Sequence, residues 1–551
     1  MSATWPQNYN PLGNVFLSTL TAAIPAVTLF YLLAVRRIPA WKAAVYAFVV
    51  AIIIALTIFR MPPQMVAGAV ANGLVYGWLR IAWVVVAAVF VYEVTVESGQ
   101  FEILKQSIGA ISDDPRLLVL LIAFAFGALL EGAGGGGAPV AVTGAMMIGL
   151  GFPPFQTAML CLIANSAPVA FGGLGNPIRT LVAVTGLPEA DFSAMIGRIL
   201  PITTLFLPFW LVRVMANTRD TLAVWPGLLL CGVAFGSIQF FWSNFMDAAL
   251  VDIVGGIGTL LILAVFFGKV WRPKTLWQFP DWEMPARRTD IPKLTFGKVL
   301  LAWSPFLLLA VFVVVWGLPG VAPWLDKFSI KQPIPGLHLQ VIRMAPAVVK
   351  PYAEPAIFDF AWLSTVGTGT FFAGLIAGPM LGLSLKRTIK VFFYATYRLR
   401  FSVAAIMAML SLGYLTRYCG MDATLGLALA HTGVMFPLFG TLIGWLGVAL
   451  SGTDAGSNAL FGSLQVITAN KLGLSPILMG AANSAGGVMG KMMAAQSLVI
   501  ACAATGQDGK EGLLVRAVVK HSIVLALLVG IIVLLYAYVF PGAIPSGHHY
   551  W

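Results

Sequence analysis

The sequence predicts an all-α polytopic membrane protein of about 12 to 14 transmembrane segments, at about 20 apolar residues per span. Three observations predict it. The chain is 59% hydrophobic and only 10% charged, where a soluble domain carries roughly a quarter charged residues. Its apolar runs reach span length, as in WKAAVYAFVVAIIIALTIF (41–59) and HSIVLALLVGIIVLLYAYVF (521–540). Those runs do not alternate polar with apolar residues, which excludes a β-barrel. Helices remain, because every backbone group in lipid must be bonded within the protein.

The elements follow in chain order. The opening MSATWPQNYNPLG has neither a basic n-region nor a small-residue cleavage site. The first apolar run is therefore expected as a retained span with its N-terminus outside. Basic residues then cluster three times: Arg36, Arg37 and Lys42; Lys269, Arg272, Lys274, Arg287, Arg288 and Lys293; and Lys386, Arg387, Lys390, Arg398 and Arg400. Read as loops, all three clusters are placed on the cytoplasmic side by the positive-inside rule. That distribution accounts for the net charge of +12 without a nucleic-acid partner; membrane lipid is the expected surrounding. The Pro-rich segment 318–355 falls outside. Cys161, Cys231, Cys419 and Cys502 lie in or beside apolar runs, with neither metal nor paired spacing, so they read as small buried hydrophobes. No metal site and no cofactor is expected.

Two interruptions recur. In the first half, LEGAGGGGAP (130–139) breaks an apolar stretch and ANSAPVAFGGLGNP (164–177) breaks the next. In the second half, LSGTDAGSNAL (450–460) and AANSAGGVMGK (481–491) do the same, and ANSA occurs in both halves. The predicted organisation is a first half, 1–268, with a hairpin near 117–150 and a broken helix near 157–185. A cytoplasmic loop at 269–296 leads to a second half, 297–551, with a hairpin near 440–470 and a broken helix near 475–505. Gly-interrupted hydrophobic segments at matching positions of two halves point to a secondary transporter and to its binding site. Unwound backbone at membrane depth is tolerated only where it is buried or lines a wet cavity. The broken ends present N–H groups and helix dipoles that attract a carboxylate.

The breaks hold the candidate chemistry. Glu131 follows a run of apolar and small residues, and an intramembrane acid is by default a functional residue. It fits a proton carrier or the partner of a cation; the plain alternative is a water-exposed turn. Asp454 occupies nearly the same place in the second half, among Ser451, Thr453, Ser457 and Asn458; its alternative is a local helix cap. Lys491 closes the second ANSA break and suits a substrate carboxylate or Asp454, against snorkelling to the interface. His431 is a candidate for proton coupling because histidine is the residue type suited to proton exchange near neutral pH, though a lone His is more often structural. Asn165, Ser166, Asn483 and Ser484 stand beside glycines as candidate ligands, against plain interhelical hydrogen bonding.

The strings EGAGGGGAPVAV, LALAHTG, GWLGVALSGTDAGSNALF, GKMMAAQS and IACAA, with NYNPLGN and IAWVVVAAVFVYEVTVESGQF nearer the start, resemble the bacterial L-lactate permease family over nearly the whole chain. The resemblance implies a proton-coupled symporter of the bacterial inner (cytoplasmic) membrane that carries L-lactate, D-lactate and glycolate. It also implies two inverted repeats, each with a re-entrant hairpin and a broken helix, and an elevator-like motion. Glu131, Asn165, His431, Asp454, Asn458, Lys491, Gln496 and Ser497 match the family pattern. The family usually reads EGAAGFGAP; this chain has Gly134 and Gly136 where Ala and Phe are usual, which opens the question of substrate size.

The reading is a transporter of a small monocarboxylate with a proton, and not an enzyme. Gly135, Gly136, Asn165, Ser166, Ser457, Asn458, Asn483, Ser484, Lys491 and Gln496 are expected at the substrate, and Glu131, Asp454 and His431 at the proton. A homodimer is an assembly left open. Two alternatives stand beside it: a sodium-coupled di- or tricarboxylate carrier on the same scaffold, and a membrane-embedded enzyme. The five histidines form no HExxH motif, which speaks against the last.

Overall fold

The structure is a computed structural model that describes residues 4–545 apart from 37, 136, 137, 281, 283–293, 319, 349 and 508. Among the described residues, ten helices are long and apolar enough to cross a membrane, or up to 12 if each of two bent helix pairs is one span. The chain is thus a multi-pass membrane protein. Three further apolar helices, Trp41–Thr57, Pro139–Gly149 and Val366–Met380, are shorter; apolar runs of this kind bring the sequence-based count to its upper end.

The third basic cluster differs from its expectation. Lys386, Arg387, Lys390, Arg398 and Arg400 do not fill a loop but lie in the first half of one helix, Leu385–Cys419. At 1.5 Å per residue its 35 residues reach about 50 Å, well beyond a hydrocarbon core of about 30 Å. The basic half is therefore the part of the helix that outruns the membrane. Arg387 and Arg398 pair there with Glu97 and Glu93. Arg37, Arg287, Arg288 and Lys293 lie outside the described residues.

In the first half, the helix Pro115–Ala133, π-helical over Leu120–Phe126, is followed at once by Ala138–Gly149. Then come Pro154–Ala164 and Val169–Thr185, bent by 61°. In the second half, Phe436–Ser451 and Asp454–Leu472 form a tight pair, followed by Pro476–Met493 and Gln496–Thr505, bent by 42°. The second pair turns on Gly452, whose φ of 85° is a conformation that glycine adopts without steric cost. Thr453 caps the following helix by accepting the Gly456 N–H at 3.0 Å. Asp454 is therefore not the cap that a local reading of TDAGSN allows.

The helices cross closely. Gly444, Gly486 and Gly490 lie where an added Cβ would run into the backbone carbonyls of Asn483, Thr441 and Trp445. Small residues that let backbones approach are the usual means of packing helices in lipid, where no hydrophobic drive between helices exists. Between the spans, Ile330–Pro333 pairs antiparallel with Ile357–Phe360. Val341–Arg343 pairs antiparallel with Tyr352–Ala353 and parallel with Trp5–Pro6. Gln7 then donates to the carbonyls of Arg417 and Tyr418 at 2.9 and 2.8 Å, which ties the start of the chain to the end of Leu385–Cys419.

Candidate functional site

The four breaks meet. Ala138–Gly149, the second arm of the first pair, packs on Ala495–Thr505 beyond the second bend. Asp454–Leu472, the second arm of the second pair, packs on Gly172–Thr185 beyond the first bend. Each half thus closes over the other, and the polar residues of all four interruptions fall inside the protein.

Three charged side chains form the centre. Glu131, Asp454 and Lys491 are each no more than 3% exposed. Lys491 Nζ donates to the carbonyl of Gly452, at the tip of the second pair, at 2.7 Å; it does not reach for the interface. Both acids lie within electrostatic reach of it. Asp454 accepts a hydrogen bond from Ser484 on one oxygen, and the Asn458 side chain acts on the same carboxyl, while its Oδ1 lacks a geometrically sound hydrogen bond. Glu131 faces Asn165, and neither Glu131 Oε2 nor either polar atom of the Asn165 amide has a geometrically sound hydrogen bond. Ser497 Oγ is likewise buried and unpartnered. Buried polar groups are normally satisfied, so a cluster of open donors and acceptors on opposing breaks marks a place for a polar ligand or water.

Glycines make the room. A Cβ on Gly172 would stand 2.7 Å from Glu131 Oε1, and one on Gly135 would stand 3.3 Å from the same atom. A Cβ on Gly487 would collide with Asp454 Oδ1. After Gly172 the backbone passes through left-handed conformations at Gly173, Leu174 and Gly175. For leucine that conformation costs roughly 1–2 kcal/mol, and Arg179 donates to the buried Leu174 carbonyl at 2.7 Å.

The other expected ligands divide into two groups. Asn458, Asn483 and Ser457 join Gln465, which the sequence did not single out, in one chain of hydrogen bonds. Asn483 Nδ2 donates to Asn458 Oδ1 at 2.9 Å, Gln465 Nε2 donates to Asn483 Oδ1 at 3.1 Å, and Ser457 Oγ donates to the Gly444 carbonyl at 3.1 Å. Asn458 Nδ2 in turn donates to the Pro177 carbonyl at 3.1 Å. These amides hold helices together, whereas the amide of Asn165 stays open. Ser166 donates back to Ile163 at 2.7 Å. Gln496 is exposed and lies against Gly452. His431 stands apart: it is exposed and its ring Nδ1 pairs with the Ala428 carbonyl at 3.0 Å. Gly136 lies outside the described residues.

One acid escapes the sequence reading. Asp252 sits in the first turn of Val251–Val265, fully buried, with no hydrogen-bond partner on either oxygen. It interacts with Glu131. An acid at the start of a helix is ordinary dipole complementarity, so VDIVGG carries no signal by itself. The tertiary neighbour makes it unusual.

Over nearly its whole length the chain is similar to known permeases. The family model described as L-lactate permease matches residues 18–540. The glycolate permease GlcA of Escherichia coli (strain K12) is 45% identical, over 98% of this chain and 100% of that protein. The L-lactate permeases of Salmonella typhimurium and Bacillus subtilis (strain 168) are 41% and 39% identical, each over 98% of this chain and 100% of the relative.

Proposed function

The chain belongs to the L-lactate permease family, and on that premise we propose that it transports small 2-hydroxy monocarboxylates, lactate and glycolate among them, with a proton across the bacterial inner membrane. The observation that carries the proton is the buried charge around Lys491: one cation facing two acids, Glu131 and Asp454. With both acids ionised the site is already negative and repels a carboxylate. With both acids neutral, Lys491 balances one substrate anion, and the loaded site is uncharged. After release, Lys491 balances one ionised acid, and the empty site is uncharged again. The two states differ by one anion and one proton. Uncharged states are favoured for crossing because charge in a low-dielectric site is heavily penalised.

The roles follow from the open groups. Lys491 and the Asn165 amide take the carboxylate, Ser497 reaches a hydroxyl, Ser484 holds Asp454, and Glu131 or Asp454 carries the proton. Asn458, Asn483 and Ser457 position the second pair. Two inverted repeats moving as an elevator are supported by the reciprocal packing of each pair on the opposite bent helix. Relatives of nearly equal identity are named for glycolate and for lactate, so the substrate preference rests on local contacts.

Right-side-out vesicles given an inwardly directed proton gradient test the reading with labelled lactate and glycolate. Uptake is expected to collapse with a protonophore and to ignore replacement of sodium by choline. Uptake that ignores the protonophore and stops in choline would transfer the site to sodium coupling.

A further inference from the structure

We propose that Asp252 is a second proton-holding carboxyl that shares the coupled proton with Glu131 and passes it on without touching substrate. The inference rests on the proton-coupled reading above. Asp252 is 0% exposed, and both of its oxygens lack a hydrogen-bond partner. A bare carboxylate in such a place is among the most unfavourable arrangements a protein can hold. Yet no apolar residue has been built there, and the neighbouring helix is shaped to approach it. A Cβ on Gly132 would stand 2.7 Å from Asp252 Cβ and 2.9 Å from the Ile253 nitrogen. A Cβ on Gly256 would stand 2.6 Å from the Leu129 nitrogen. The two helices thus meet with backbone close to backbone at the turn that carries Glu131.

Glu131 is the charged group that acts on Asp252. The other ionisable residues on the helices packed against Val251–Val265 are Cys231, Arg179, Lys269 and Lys298. Among the described residues none of them forms a hydrogen bond with either Asp252 oxygen; Arg179 is engaged by Glu189 and Asp247. Asp252 therefore has no cation to balance it, while Glu131 has Lys491. Two neighbouring buried carboxyls resist ionising together and behave as one titrating pair. When Glu131 loses its proton to the Asp252 carboxylate, the O–H bond breaks on one and forms on the other. The ionised group is then the one that Lys491 can balance.

Two variants separate a relay from packing. Asp252→Asn keeps the shape and removes the titrating group; Asp252→Glu keeps the group and disturbs the shape. Each is reconstituted and measured twice, for lactate exchange at equal pH and for accumulation driven by a pH gradient. Wild-type protein is expected to accumulate substrate about tenfold per unit of pH gradient, one unit being worth about 1.4 kcal/mol. Asp252→Asn is expected to keep exchange and lose accumulation, with Asp252→Glu recovering part of it. Accumulation retained by Asp252→Asn overturns the inference and leaves symport standing. Exchange lost in both variants, or lost only in Asp252→Glu, assigns Asp252 to packing and overturns it as well. A wild-type protein that accumulates nothing on a pH gradient instead removes the symport reading itself.

Discussion

Asn458, in the second half of the chain, donates its side-chain amide to the carbonyl of Pro177, in the first half, at 3.1 Å. The bond crosses between the breaks, and its acceptor side is continued by Asn483 and Gln465. Replacing Asn458 with Ala removes both partners at once. Interhelical hydrogen bonds in lipid are worth about 0.6 kcal/mol on average and up to about 1.7, so a loss of roughly 1–2 kcal/mol is expected. A lower melting temperature in detergent reads it, and an unchanged one refutes the structural role given to this amide.

Lys491 is the cation facing Glu131 and Asp454. Lys491→Gln leaves the buried site without positive charge and is expected to abolish binding of a carboxylate. Lys491→Arg keeps the charge and is expected to retain measurable lactate exchange, although its planar fork differs from a point-like ammonium. Equal exchange in the Gln variant and the wild type removes Lys491 from the substrate.

The seat of Glu131 depends on Gly172. The methyl group of Gly172→Ala falls 2.7 Å from Glu131 Oε1, closer than nonbonded carbon and oxygen approach. Gradient-driven uptake is expected to drop sharply while the amount of folded protein in the membrane stays the same. Undiminished uptake shows that the carboxyl can move aside, and so that its position does not matter.

Between the spans, Glu354 is fully buried and paired with Arg343 and with Arg417, the latter at 2.5 and 2.7 Å. Burial alone raises its pKa, but the two guanidinium groups outweigh burial and hold it below the ordinary carboxylate value. A depressed value in the folded state means stability that is present above an ordinary pKa of about 4.3 and lost as pH falls through the folded value. The melting temperature in detergent is therefore expected to fall below about pH 4, and this acid step to flatten in Glu354→Gln. Breaking such a buried pair costs about 3–5 kcal/mol, so the variant is also expected to melt lower at neutral pH. An acid limb that survives unchanged in the variant assigns it to other groups.

Composition and the spacing of apolar runs determine that this chain is a helical membrane protein. The glycine-rich interruptions around Glu131, Asn165, Asp454 and Asn483 mark its candidate site, because acids and unwound backbone are unfavourable in lipid. Those signals are local and survive in the linear order of residues. The tertiary structure decides which polar groups are spent and which are free. Asn458 and Asn483 look alike in sequence to Asn165, yet they bond each other while Asn165 stays open. His431 is exposed, its ring paired with the Ala428 carbonyl. Asp252, ordinary at the start of a helix, becomes the neighbour of Glu131. The physical reason is that a side chain's protonation and availability depend on what packing places within a few ångströms of it, and residues 131, 252, 454 and 491 meet only once the chain is folded.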